Sequence, residues 1–170
     1  MLEITIRSYA PGDCRPLIEV FRESIRRTGI RHYSLEQVHA WAPDEIDAER
    51  FGLRRASRQT WVAEIDGKAV GFSDLEPDGH IDMLYVHPDF QRRGVASALL
   101  RVVESAASER GLTLLYTESS ICACATFERF GFRVLKGQTV AIGGQILVNY
   151  RMEKTGKLID SLFVPPDSAR

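Results

Sequence analysis

Gln91-Arg92-Arg93-Gly94-Val95-Ala96 lies between two different periodicities. Ahead of it, Ile81-Asp82-Met83-Leu84-Tyr85-Val86 is an apolar run of strand character. Behind it, Val95, Ala98, Leu99, Val102, Val103 and Ala106 recur at helical spacing. A short strand, a basic loop with a glycine and a helix start are the parts of a phosphate cradle. The first turn of a helix leaves backbone N–H groups without intrahelical partners, and its dipole favours negative charge in front of it. Gly94 lets the main chain approach a ligand closely, and Arg92 and Arg93 add positive charge. The combination suits a diphosphate.

Outward from this loop, strands and helices alternate. Ile4 to Tyr9 reads as a strand, Pro11-Gly12-Asp13 turns it, and Asp13 can cap a helix carrying Leu17, Ile18, Phe21 and Ile25 and ending at Gly29. Ser34-Leu35-Glu36-Gln37 has capping-box form and predicts a second short helix to about Trp41, before Pro43. A third helical piece is expected over 47–57. Thr60 to Ile65 and Ala69 to Leu75 predict a hairpin about Asp66-Gly67, and Glu76-Pro77-Asp78-Gly79 turns into a strand over His80 to Val86. After a helix from Gly94 to Arg110, Leu112 to Thr117 is apolar enough to be a strand buried on both faces. Ser119 or Ser120 caps a helix ending near Gly131, and 132–142 with 145–152 form a last hairpin about Gly143-Gly144. The order β-α-α-β-β-β-α-β-α-β-β predicts an α/β chain: a mixed sheet with helices on both faces, antiparallel at its hairpins and parallel across the Gly94 helix. Residues 1–153 are expected to form one domain. Residues 154–170, with Pro165-Pro166, read as a tail that has one docked turn at 158–163 and could help form a homodimer.

Bulk properties exclude several classes. A chain of 170 residues suffices for a domain with a real core, and 44% hydrophobic with 26% charged residues argues against disorder. The net charge of −1 provides no global basic field for nucleic acid. Cys14, Cys122 and Cys124 are an odd count without a CxxC pair, which points to a reducing compartment and no metal site. No apolar run approaches the ~20 residues that cross a bilayer, and Met1 to Arg7 alternates rather than building a signal peptide. The expectation is a cytoplasmic protein without a membrane or nucleic-acid partner.

With these motifs in order, the chain resembles the GNAT superfamily of acetyl-CoA-dependent N-acetyltransferases. Gln91 to Ala96 matches that superfamily's Gln/Arg-x-x-Gly-x-Gly/Ala motif, Phe127-Glu128-Arg129-Phe130-Gly131-Phe132 its aromatic residue four places before Gly-Phe, and Val86-His87-Pro88 its Val-x-Pro junction. The likeness spans about 3–153. Ala40-Trp41-Ala42-Pro43, the Glu76 to Met83 stretch and Asn149-Tyr150-Arg151-Met152-Glu153-Lys154 are also similar to a narrower bacterial group of single-domain acetyltransferases. The resemblance implies the GNAT fold and acetyl-CoA as the cofactor, released as CoA. It implies the pyrophosphate on the main chain of Gln91, Arg92, Arg93, Gly94, Val95 and Ala96, with Ser97 at the helix start. The pantetheine arm would lie along Leu84, Tyr85 and Val86, where a backbone N–H polarises the thioester carbonyl. Ser120 stands where many members carry an asparagine that contacts CoA. Phe127 stands where many carry a tyrosine acid; it has no proton to give and can only pack near the pantetheine sulfur.

The implied reaction is direct attack by an amine on the thioester. An alkyl amine, with a pKa near ~10, must first lose a proton, so a base must face the acetyl group. Alternation along the strand puts His80, Asp82, Leu84 and Val86 on one face and Ile81, Met83 and Tyr85 on the other. His80 and Asp82 are the candidate catalytic bases, since imidazole titrates near ~6.5 and a carboxylate within a strand is paired, wet or functional. The bland alternatives are a solvated turn histidine and a carboxylate paired with an arginine. Glu76 and Glu118 stand at strand ends near the same cleft, and Tyr85, Tyr116 or water could return a proton to sulfur. The resemblance implies an acceptor site between the first two helices and the last hairpin, for a small-molecule or peptide amine. Tyr33 and Trp41 could wall it, because aromatic faces favour cations, or belong to the core. Cys122 and Cys124 read as buried small hydrophobes. The alternative on the same fold is a non-catalytic acyl-CoA-binding module or sensor, motivated by Phe127. A nucleotide enzyme is disfavoured by the lack of a P-loop or Gly-x-Gly-x-x-Gly pattern.

Overall fold

Two antiparallel sheets meet at one point, and that point positions everything else. The protein's structure, a computed structural model, describes residues 3–156; the docked turn and most of the expected tail lie outside them. The first sheet orders β1 (Thr5–Ser8), β2 (Gln59–Ile65), β3 (Lys68–Leu75) and β4 (Leu84–Val86) side by side. The second orders β5 (Leu114–Ser120), β7 (Gln145–Thr155) and β6 (Arg133–Ile142). Helices α1 (Cys14–Thr28), α2 (Leu35–Trp41) and α3 (Ala48–Ala56) precede β2, α4 (Val95–Glu109) links the sheets, and α5 (Cys124–Arg129) precedes the last hairpin. Among the described residues no helix is long and apolar enough to cross a membrane.

The caps follow local chemistry, with one exception. Ser34 Oγ accepts Gln37 N–H (3.1 Å) while Gln37 Oε1 accepts Ser34 N–H (2.8 Å), the reciprocal box that starts α2. Asp47 caps α3 by accepting Arg50 N–H at 3.0 Å. Asp13 does not cap α1. Its carboxylate is taken by both Arg7 Nη atoms (2.7 and 2.8 Å) and by the preceding Ala10 N–H (2.8 Å), which turns it away from the first turn of α1.

The parallel pairing expected across α4 is one bridge long. Ile81 N–H donates to Tyr116 O (2.9 Å), Tyr116 N–H to Gly79 O (3.1 Å), and Thr117 Oγ1 to Ile81 O (2.8 Å). Gly79 has φ +95°, and a Cβ there would run into the Leu114 carbonyl oxygen. Past the bridge β4 and β5 diverge.

The strand expected from His80 is interrupted for a physical reason. The buried Asp74 carboxylate accepts both Asp82 N–H (3.0 Å) and Met83 N–H (2.9 Å), and Ser73 Oγ donates to Met83 O (2.8 Å). With these N–H groups committed to a side chain, main-chain pairing over this stretch is reduced to Asp74 N–H to Met83 O (3.3 Å) and Glu76 N–H to His80 O (2.8 Å), and regular pairing resumes only at Leu84. Strict alternation fails with it. Ile81, Leu84 and Val86 pack on the α4 side with Val95, Leu99 and Leu115. Met83 and Tyr85 pack on the α1 side with Phe21 and Phe72. Asp82 does not share a face with Leu84 and Val86; it turns toward α3. β5 is likewise not buried on both faces. Leu115, Thr117 and Ser119 are buried, while Tyr116, Glu118 and Ser120 stay half-buried. α4 lies close on β3 because Gly71 has no side chain: a Cβ there would come within 2.9 Å of Val95 Cγ1.

Candidate active site

The loop before α4 is shaped by its ends. Phe90 N–H and Gln91 N–H close back on His87 O (2.9 Å) and Pro88 O (3.3 Å). Gln91 Nε2 donates to Thr28 Oγ1 (3.0 Å) and Arg27 pairs with Asp89 (2.7 Å), which ties the loop to the end of α1. Arg92 (φ +63°) and Gly94 (φ +87°) are both left-handed and turn the chain into α4. Gly94 is the N-cap and has no side-chain oxygen, so no side chain caps α4. The main-chain N–H groups of its first turn are left facing the front of the loop. Val95 buries its side chain in the core and can offer only its backbone; Arg92, Arg93 and Gly94 are exposed, and Ala96 and Ser97 half-buried. Arg93 stacks on the Phe90 ring (5.3 Å), which holds its charge beside the loop. The residues Gln91 to Ser97 therefore form one contiguous, cationic, amide-lined surface that fits a diphosphate.

The cleft begins next to it. β4 pairs with β3 along one edge, Gly71 to Val86, Phe72 to Tyr85 and Ser73 to Leu84. Its other edge faces the gap toward β5 and has no strand partner among the described residues. An extended ligand arm can complete such an edge.

Beyond the cleft, on the α1–α2 side, is a cavity of about 350 Å³. Phe21, Trp41 and Tyr85 line it from one side; Val140, Ile142 and Leu147 line it from the last hairpin. The Phe21 and Tyr85 rings meet edge-on at 4.9 Å, and Trp41 meets Tyr33 at 5.6 Å. Burial pushes the Tyr85 phenol far above its usual range, so it stays protonated. Tyr33 also borders the cavity, but its hydroxyl is occupied: it donates to Val148 O (2.7 Å) and accepts Ile121 N–H (3.0 Å). Asp82, Glu118, Ser120 and Asn149 are among the polar lining. Asn149 Oδ1 is buried without a hydrogen-bond partner among the described residues, which costs about 1–3 kcal/mol and would be relieved by a ligand N–H.

One network of ion pairs carries the charge. Asp82 meets Arg58 (3.0 Å), Arg54 (3.4 Å) and Arg55 (3.5 Å). Arg55 is fully buried and pairs with Asp74 at 2.8 Å; Arg58 bridges Asp74 and Glu76. On the other side Arg151 pairs with Glu118 (2.8 Å) and Glu153 (3.4 Å) and lies over the Tyr116 ring at 3.9 Å. His80 joins the halves, with Nε2 2.6 Å from Glu118 Oε2 and Nδ1 3.3 Å from Glu76 Oε1, its ring stacked on Tyr116. His80 thus stands behind Glu118 rather than on the cavity wall. Asp82 reaches the cavity already engaged by three guanidiniums.

The other expected residues separate. Ser120 lines the cavity and accepts Ala123 N–H (3.2 Å), capping the turn before α5 rather than α5 itself. Phe127 is 2% exposed and packs edge-on against Phe132 at 5.1 Å. Cys122 and Cys124 are half-buried rather than buried, and burial pushes both thiols up, away from the reactive thiolate. Glu118, expected only as a strand-end carboxylate near the cleft, lines the cavity with Ser120, its period-2 neighbour on β5; Asn149 has no local signal in the sequence, because its register against Ser120 is set by tertiary pairing.

Residues 30–154 match the sequence family described as acetyltransferase (GNAT) domain. The chain is 42% identical to the protein called uncharacterized N-acetyltransferase YafP from Escherichia coli K12, over 89% of this chain and 96% of that one. Among solved structures, a GCN5-related N-acetyltransferase from Rhodopseudomonas palustris superposes with a TM-score of 0.87 at 35% identity, covering 91% of this chain and 98% of its own. A PaiA N-acetyltransferase from Thermoplasma acidophilum, in complex with coenzyme A, shares the fold with a TM-score of 0.71 at 23% identity, over 91% and 99% of the two chains.

Proposed function

The chain belongs to the GNAT acetyltransferase family, and from that footing we propose that it moves the acetyl group of acetyl-CoA to a primary amine by direct attack. The observation that carries this is a juxtaposition. An uncapped, glycine-entered helix start follows β4, whose free edge faces the gap toward β5 and whose Tyr85 lines an aromatic cavity with a carboxylate at its edge. The main-chain N–H groups of the 91–97 segment would hold the diphosphate, Arg92 and Arg93 would screen it, and the free edge of Leu84 to Val86 would align the arm. Bound there, acetyl-CoA supplies the activated acyl group. Ser120, at the mouth of the gap, adds a hydroxyl.

Proton removal falls to Glu118 backed by His80. In the tautomer whose Nδ1–H donates to Glu76 (3.3 Å), the ring keeps a lone pair on Nε2, 2.6 Å from Glu118. A proton taken from the ammonium by Glu118 can then pass to Nε2, and the imidazolium formed donates to both Glu118 and Glu76. Asp82 contributes charge to the cavity rather than basicity. Glu118→Gln can still accept from Arg151 and donate to a His80 Nε2 lone pair, but it cannot accept a proton. It should lower kcat/KM for amines by roughly 10²- to 10⁴-fold in an assay of CoA thiol release, with CoA affinity unchanged by calorimetry. Unchanged turnover would remove Glu118 from the reaction.

The buried, protonless Phe127 favours a second function, an acyl-CoA-binding module. CoA binding without thiol release over a broad amine panel would select it.

A further inference from the structure

We infer that the acceptor is a compact primary amine with an apolar body, carried in as a cation, and that the cavity is closed to polypeptides. This rests on the acetyl-transfer reading and narrows it.

The far wall is sealed. Three contacts fasten α2 and its leading turn to the last hairpin: Tyr33 Oη donates to Val148 O (2.7 Å), Gln37 Nε2 donates to Ile146 O (2.7 Å), and Gly143 abuts Ala40. The last contact is backbone against helix, since a Cβ on Gly143 would sit 3.1 Å from Ala40 Cβ. A peptide held on both sides of its reacting residue needs a trough open at two ends, because each extended residue occupies ~3.3 Å of length. Here one end is shut. A ligand with a single free end fits, and about 350 Å³ is at the low end of small-molecule pockets.

The lining sets the chemistry of that ligand. Aromatic rings and hairpin aliphatics occupy the closed end, and Glu118 and Asp82 supply the carboxylates. Arg54, the cationic group on the wall, already faces Asp82 at 3.4 Å. Across the ion-pair network that includes both carboxylates, Asp74, Glu76, Asp82, Glu118 and Glu153 are matched by Arg54, Arg55, Arg58 and Arg151, with His80 as the remaining partner. With a neutral imidazole the carboxylates outnumber the guanidiniums by one. An ammonium at Glu118 restores balance, and the adjacent aromatic faces favour a cation over an anion. The amine therefore points to the cleft and its apolar body to α2.

The test uses the full chain saturated with acetyl-CoA. Thiol release is measured for n-butylamine, cyclohexylmethylamine and phenethylamine, and for the amidated tripeptides Phe-Ala-Ala and Ala-Lys-Ala. The best small amine should exceed the better peptide in kcat/KM by at least ~10-fold. The tryptophan emission of the CoA-bound protein should change on titration with that amine and not in Trp41→Phe. The double variant Gln37→Ala/Gly143→Ala, which loosens the seal, should shrink the gap between amine and peptide. Peptides turned over as well as the amines, or an emission change that persists in Trp41→Phe, overturns the inference while leaving acetyl transfer standing. CoA binding with no thiol release from any acceptor overturns both.

Discussion

The two halves of the site hold their ligands by different means. On the α4 side the working groups are main-chain amides between Gln91 and Ser97, where the backbone angle constrains Arg92 and Gly94 and only Gly94 lacks a side chain. On the β5 side the working groups are side chains from β3, β4's approach, β5, β7 and α3, joined in one ion-pair network through His80. A cradle of amides is tolerant, because changing a side chain leaves the N–H in place. A network of carboxylates and guanidiniums is not, because removing one buried partner leaves another charge uncompensated.

The largest expected effect lies where the halves join. Gly79→Ala forces a Cβ into the Leu114 carbonyl at φ +95° and should destabilise the fold by about 3 kcal/mol or more, whereas Gly67→Ala, at φ +71° in an open turn, should cost about 1 kcal/mol. Thermal or urea unfolding of both variants measures the difference; equal losses would mean that the single bridge between the sheets is not what holds them. Next, Gly94→Glu should weaken CoA binding at least ~100-fold by placing a carboxylate among the amides, while Arg92→Ala and Arg93→Ala should each cost only a few-fold and lose their effect in high salt. Calorimetry at two ionic strengths separates these cases. If the arginine variants matched Gly94→Glu, side chains rather than amides would be the grip.

The smallest effect is on the far edge of the first sheet. The Arg7 guanidinium, hydrogen-bonded to Asp13, holds that carboxyl below its usual range, with Ala10 N–H assisting. A depressed carboxyl contributes stability that is complete above its unfolded value and is lost as pH falls through its folded value. Below pH ~4 the protein should therefore lose stability, and Asp13→Asn should flatten that part of the profile. A melting profile between pH 7 and pH 3 that the variant does not change would contradict the pairing.

How far the sequence could be read followed the same division. The cradle, the Ser34–Gln37 box and the α4 stripe are contiguous or periodic, so local chemistry exposes them. The break at Asp82 and Met83 is not, because Asp74, eight residues upstream, takes their N–H groups only once β3 lies alongside. Asp13 reads as a cap because its bidentate partner Arg7, six residues upstream on β1, is invisible at helix spacing. His80 is legible as a strand-entry histidine and Glu118 as a strand-end carboxylate near the cleft, but their contact is not, since the two are joined by one parallel bridge across the whole of α4. Trp41 and Tyr33 both line the cavity; that Tyr33 also latches the hairpin depends on Val148, which only folding brings near.

The central claim is that main-chain amides of 91–97 and the cavity edge at Glu118 address two ends of one bound cofactor. A crystal structure with CoA tests it directly. The expected result is a diphosphate within hydrogen-bond reach of the α4 first-turn nitrogens and an arm along the free edge of β4, its sulfur end toward Glu118. CoA seated elsewhere, with the α4 first turn still free and the gap between β4 and β5 empty, would contradict it.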